Sequence, residues 1–83
     1  MEARRYFDLM FRWTLKNTMD AHGITRYALQ KETGLAMNTV RAMYDGTPTR
    51  IDFPVIEKIV AALSRLTETQ MSPEDVFKWE ARA

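Results

Sequence analysis

Apolar residues recur at spacings of three and four along most of this chain. Phe7, Met10, Phe11, Leu15 and Met19, with Thr14 and Thr18 between them, form a first stripe. The spacing predicts a helix from Arg5 to Ala21, ended by Gly23. Thr25 suits the start of a second helix, because its hydroxyl can accept a free amide of the first turn. That helix runs from Arg26 to Thr33 and stops at Gly34, a residue free to adopt a left-handed backbone. A third helix covers Met37 to Tyr44, with Leu35, Val40 and Met43 facing inward and Gly46 closing it. Thr47-Pro48-Thr49-Arg50 reads as a loop. Asp52 caps a fourth helix, whose stripe is Ile56, Ile59, Val60, Leu63 and Leu66. Thr67-Glu68-Thr69-Gln70 breaks the pattern. Ser72-Pro73-Glu74-Asp75 then supplies a serine cap, a proline in the first helical position and acids at the positive end of a helix dipole. It predicts a short fifth helix from Pro73 to about Glu80 that buries Val76 and Phe77. No segment alternates with period two, so no sheet is expected. The reading is all-α, one domain over residues 1–83, without internal repeats.

The second and third helices meet at Thr33-Gly34-Leu35, with little chain in which to turn. Two short helices joined by a glycine-containing turn and wrapped by others form a helix-turn-helix, here residues 25–46. Thr25, Leu29, Gly34-Leu35, Val40 and Gly46 stand in this order, within the strings GIT, TGLAMNTV and DGTPTRIDFPVIEKIVAAL, followed by SPEDVF. The series resembles the Cro-type, or XRE-type, helix-turn-helix family with its lambda-repressor-like fold, over about Phe11 to Phe77. The resemblance implies a five-helix DNA-binding domain, here with an N-terminal extension of the first helix. It implies that the third helix enters the major groove with its N-terminal residues at the base edges. Mapped onto this chain, the groove-facing positions are Met37, Asn38, Thr39, Arg41 and Ala42. Asn38 has the chemistry to pair with adenine, and Arg41 to reach guanine or phosphate. Arg26 opens the second helix, where the family often contacts DNA, and Thr47, Thr49 and Arg50 fall near phosphates. The implied function is a sequence-specific regulator of transcription that binds double-stranded DNA as a homodimer. The other function class open to this fold is a protein-binding module, such as the antitoxin of a toxin–antitoxin pair.

Three positions depart from the family's pattern. Ala36 stands where a serine usually caps the recognition helix, which leaves Asn38 as an alternative cap. Gln30 stands where alanine is usual, near the helix crossing, and needs a hydrogen-bond partner or a shift in packing. Ser64–Gln70 lengthens the connection before the last helix.

Composition narrows the chemistry. With 83 residues, 46% hydrophobic and 28% charged, the chain has the balance of a small soluble globule. It has no cysteine, which removes disulfides, thiolate nucleophiles and cysteine-based metal sites. His22, the only histidine, sits at a helix end where it favours the dipole. Ser72 is explained as a cap, and the acids lack paired or metal-ligand spacing. No enzyme, metal or cofactor is expected. No apolar run is long enough to cross a membrane, and charges recur too early for a signal peptide, so the expected location is the cytoplasm. The net charge is only +1, yet residues 24–50 carry four cations against two acids, and residues 51–83 four cations against six acids. The positive part falls on the helix-turn-helix. Trp13, Trp79 and the six methionines, Met37 excepted, read as packing residues. Tyr6, Phe7 and Leu9, on extra turns of the first helix, are expected to join Trp79 in an apolar patch for dimer formation.

Overall fold

The computed structural model describes residues 9–81. Its elements are β1 (Leu9–Trp13), α1 (Leu15–His22), α2 (Arg26–Thr33), α3 (Met37–Asp45), α4 (Phe53–Thr67), a single 3-10 turn (Pro73–Asp75) and β2 (Phe77–Ala81). The domain is thus mostly helical, with four α-helices among the described residues. The expected fifth helix ends after one 3-10 turn, and β2 takes its place. The expected extension of the first helix is β1 from Leu9 onward, while Arg5 to Asp8 lie outside the described residues.

β1 and β2 pair antiparallel in a two-stranded sheet, with Phe11 opposite Trp79 and Trp13 opposite Phe77. This overturns the expectation of no sheet. Successive side chains of a strand point to opposite faces. The sequences Phe11-Arg12-Trp13 and Phe77-Lys78-Trp79-Glu80 therefore put aromatics on one face and charges on the other. On the aromatic face, the Phe11 ring lies 4.8 Å from Trp13, 5.5 Å from Phe77 and 5.3 Å from Trp79 between centroids. Such pairs add ~0.5–1.5 kcal/mol each beyond simple burial. A helix through the same residues would scatter these four rings. On the other face Arg12 lies 2.8 Å from the Glu80 carboxylate.

The sheet ties the two ends of the domain together around α1. The amides of Thr14 and Leu15 both donate to the Val76 carbonyl, at 2.8 and 3.1 Å. The hydroxyls of Thr14 and Thr18 donate to the carbonyls of Glu74 and Asp75, at 2.8 and 2.7 Å. The free amides at the start of α1, which a helix cannot satisfy internally, are thus partly met by the far end of the chain.

The core is one cluster: Leu15 and Met19 of α1, Leu29 of α2, Val40 and Met43 of α3, Ile56, Ile59, Ala62 and Leu63 of α4, with Met71 and Val76. Asp52 caps α4 by accepting the Val55 amide at 3.3 Å. α4 continues to Thr67, one residue past its expected stripe, and Leu66, the last residue of that stripe, is exposed rather than buried. Of the lengthened connection Ser64–Gln70, the part up to Thr67 is therefore helix. Its remainder is held where the Met71 amide donates to the Ser64 hydroxyl at 3.0 Å, which seats the Met71 side chain in the core.

Candidate nucleic-acid interface

α2, the turn and α3 form one unit, laced by local hydrogen bonds. The Thr25 hydroxyl accepts the Ala28 amide at 3.0 Å and starts α2. Gly34 ends α2 with φ +75°, where its amide donates to the Gln30 carbonyl at 2.9 Å. The Thr33 hydroxyl donates to the Leu29 carbonyl at 2.8 Å and accepts the Leu35 amide at 3.2 Å. The Gln30 side chain donates to the Leu35 carbonyl at 3.1 Å. That bond answers the requirement set by a glutamine at the crossing: it bridges the turn that it would otherwise disturb.

α3 begins without a side-chain cap. Ala36 holds the extended geometry of a capping residue, φ −64° and ψ 144°, but has no oxygen to offer. Asn38 does not replace it: among the described residues its amide has no hydrogen-bond partner, and it is exposed. The inner side of α3 is pinned by Val40 and Met43, with Leu35 and Met37 packed partly against the same core. Met37, expected on the open face, is thus half-buried, and so is Ala42, whereas Asn38, Arg41 and Asp45 are exposed.

The nine expected contact residues do not all share one place. Asn38, Thr39 and Ala42 of α3 join Arg50 of the following loop around a shallow depression, together with Pro48 and Asp52. Thr47 and Thr49 are exposed on the same loop, and the Thr47 amide donates to the Ala42 carbonyl at 3.2 Å, closing the end of α3. Trp13 of β1 fixes that loop: its indole N–H donates to the Pro48 carbonyl at 3.0 Å, and its side chain lies beside Gly46.

Arg26 belongs to a second cluster. Its guanidinium lies over the Tyr44 ring, 5.1 Å from the centroid, with Lys16 at 5.3 Å from the same ring. The Tyr44 hydroxyl donates to Asp20 at 2.7 Å, and Lys16 pairs with the other Asp20 oxygen at 2.9 Å. These bonds, the Tyr44 one first, hold the Asp20 carboxyl below the ordinary carboxylate range, and Asp20 in turn raises Lys16. Sequence reasoning missed Tyr44, because the partners that give it a role come from α1 and α2. What it does is plain from the contacts: it holds the Arg26 cation at the start of α2, next to the end of α1.

Among the described residues no helix is long and apolar enough to cross a membrane. No curated protein and no solved structure matches the chain. A family model for the Cro/C1-type helix-turn-helix DNA-binding domain matches residues 14–82. The matched span begins at Thr14, whose amide meets Val76, and takes in the whole helical core. The chain belongs to the Cro/C1-type helix-turn-helix DNA-binding family.

Proposed function

We propose that this domain binds double-stranded DNA sequence-specifically and regulates transcription, with α3 in the major groove. The observation that carries the reading is the pair of polar side chains, Asn38 and Arg41, exposed on the face of α3 opposite its buried Val40 and Met43. Asn38 is free to make a bidentate contact with adenine, and Arg41 to contact guanine or phosphate. The uncapped amides at the start of α3 can receive a phosphate oxygen. Arg26 on its Tyr44 platform and Arg50 on the Trp13-braced loop add cations on either side of that helix. One such module reads one half-site. Useful affinity then calls for a homodimer on a two-fold site, with its recognition helices about one helical turn, ~34–36 Å, apart.

The test is a gel shift, over a range of salt, on DNA selected from random sequence by the protein. Asn38→Ala is expected to cost ~1–3 kcal/mol at the selected site and to relax preference at one base pair. Arg50→Ala is expected to weaken all sequences alike and to flatten the salt dependence. A wild-type protein that selects no sequence, or an Asn38→Ala variant that selects the same one, refutes the reading.

A further inference from the structure

Between the aromatic face of the sheet and the loop that follows α3 lies a pocket of about 220 Å³. Phe11, Trp13 and Trp79 line it from the sheet, and Pro48, Arg50 and Ile51 from the loop. Trp79 keeps 59% of its surface exposed. Arg50 is exposed as well, and among the described residues no carboxylate pairs with it. Three other depressions each have a carboxylate in their lining, from Asp20, Glu57 and Asp52. Here Arg50 is the one charged lining residue. Arg50 also borders the depression beside Asn38 and Ala42, so it stands between the aromatic pocket and the outer face of α3.

This lining selects its occupant by shape and by charge. Three aromatic side chains favour a flat, apolar body that can stack on a ring or meet its edge. A guanidinium without a carboxylate favours a negative group, and a carboxylate matches its parallel N–H donors two at a time. The volume limits the size. Sites for drug-sized ligands hold ~300–1,000 Å³, so this smaller one suits a single ring. A flexible aliphatic acid would lose more rotational freedom on entering than a ring does. The loop side is already fixed, because the Trp13 indole N–H donates to the Pro48 carbonyl at 3.0 Å. Little ordering is then left for the ligand to bring about.

We propose that this pocket binds a small aromatic carboxylate, its ring among Phe11, Trp13 and Trp79 and its charge on Arg50, and that occupancy withdraws Arg50 from DNA. The second half rests on the reading of Arg50 as a contact to the DNA backbone. A guanidinium held by a carboxylate has fewer N–H groups left for a phosphate, and its positive charge is offset where DNA would need it. The linkage is reciprocal, so DNA weakens the binding of the acid by the same factor. The domain would then sense a small acid without any separate ligand-binding domain.

The two tryptophans of the chain both line the pocket, so their indole N–H signals in a nitrogen–proton correlation spectrum report on it directly. The full chain is titrated with benzoate, with benzyl alcohol (the ring without the charge) and with acetate (the charge without the ring). Benzoate is expected to move both signals and to saturate in the roughly millimolar range, given its few atoms. The other two are expected to bind more weakly. Arg50→Gln, at an exposed loop position, is expected to weaken benzoate about tenfold and leave benzyl alcohol unchanged. No saturable shift with benzoate, equal binding of benzoate and benzyl alcohol, or an Arg50→Gln protein that binds benzoate like the wild type would overturn the site. Signals that move on dilution of the protein and not with benzoate would put a second copy in the pocket and overturn it too. For the second half, benzoate is expected to weaken the gel shift of the wild type more than acetate at equal ionic strength, and to lose that excess in Arg50→Gln. Benzoate that binds without this effect refutes the coupling and leaves the site. A protein that binds no DNA removes the coupling together with the DNA reading, and the titration still decides the pocket.

Discussion

Replacing Ala36 by serine isolates one missing interaction. Three helices of this domain start from extended residues: Thr25 at φ −84°, ψ 160°, Ala36 at φ −64°, ψ 144°, and Asp52 at φ −110°, ψ 102°. Two of them accept an amide of the first turn, Ala28 at 3.0 Å and Val55 at 3.3 Å, and Ala36 accepts none through its side chain. The backbone at 36 is therefore already placed for a cap, and the added hydroxyl needs no rearrangement. Ala36 is exposed, so the hydroxyl loses little water. The gain expected for such an exchange is about 1 kcal/mol, within a range of ~0.5–2 kcal/mol. For a domain of this size, 1 kcal/mol corresponds to a rise in Tm of roughly 4–8 °C. Thr25→Ala is the matched control, expected to lose a similar amount from α2. Thermal melts followed by circular dichroism measure both. If Ala36→Ser melts at or below the wild type while Thr25→Ala melts lower, the start of α3 is not a vacant cap and the reasoning fails. The same exchange should weaken DNA binding where the free amides of α3 receive a phosphate, since the serine oxygen would then occupy one of them.

Gly34→Val is expected to destabilise by at least ~1–2 kcal/mol through its left-handed backbone, since φ is +75° and no atom lies within 4 Å of an added Cβ; a melt unchanged from wild type would refute this. Gln30→Ala removes the bond to the Leu35 carbonyl and should cost ~0.5–1.5 kcal/mol in chemical denaturation, more than a truncation at an exposed site of α2. Asp20, with a carboxyl held low by Tyr44 and then Lys16, contributes stability above its unfolded pKa, and that contribution is lost as pH falls through the lower folded value. Asp20→Asn should therefore narrow the gap in Tm between neutral and acidic buffer, and an identical pH profile for the two proteins would count against the cluster.

The helix-turn-helix could be read from the sequence because each of its boundaries is set locally. Thr25 caps with its own hydroxyl, Gly34 and Gly46 end their helices by their own backbone freedom, and Leu29, Val40 and Met43 keep helical spacing. α2 falls where expected, and α3 runs one residue further, to Asp45. The strands were hidden because what stabilises them is not local. Phe7, Met10, Phe11 and Leu15 satisfy a helical spacing as well as Phe11 and Trp13 satisfy an alternation. The deciding partners, Phe77 and Trp79, lie at the other end of the chain. The signal that could have revealed them was the repeated pattern of aromatic, cation, tryptophan in Phe11-Arg12-Trp13 and Phe77-Lys78-Trp79. At the site, Gln30 announced a need for a partner without saying which. Tyr44 announced nothing, because its role depends on Asp20 and Arg26, brought to it only by the packing of three helices.

The carbonyl of Val76 has a consequence for the time course of folding. α1 has eight residues, too few to persist as an isolated helix in water. Two of its leading amides and two of its threonine hydroxyls find their acceptors at residues 74–76. During synthesis from the N-terminus, α1, α2 and α3 are all made before those acceptors exist. The brace from Trp13 to Pro48 has both its atoms early, but β1 has no strand to lie against until β2 is made. Contacts this distant in sequence slow folding and make it collective. The nascent chain would then hold its recognition helix in an unfixed state until residues 74–76 are free to pair with α1. A chain cut short before residue 74 lacks those acceptors, so its recognition helix should stay unfixed and proteases should still cut it.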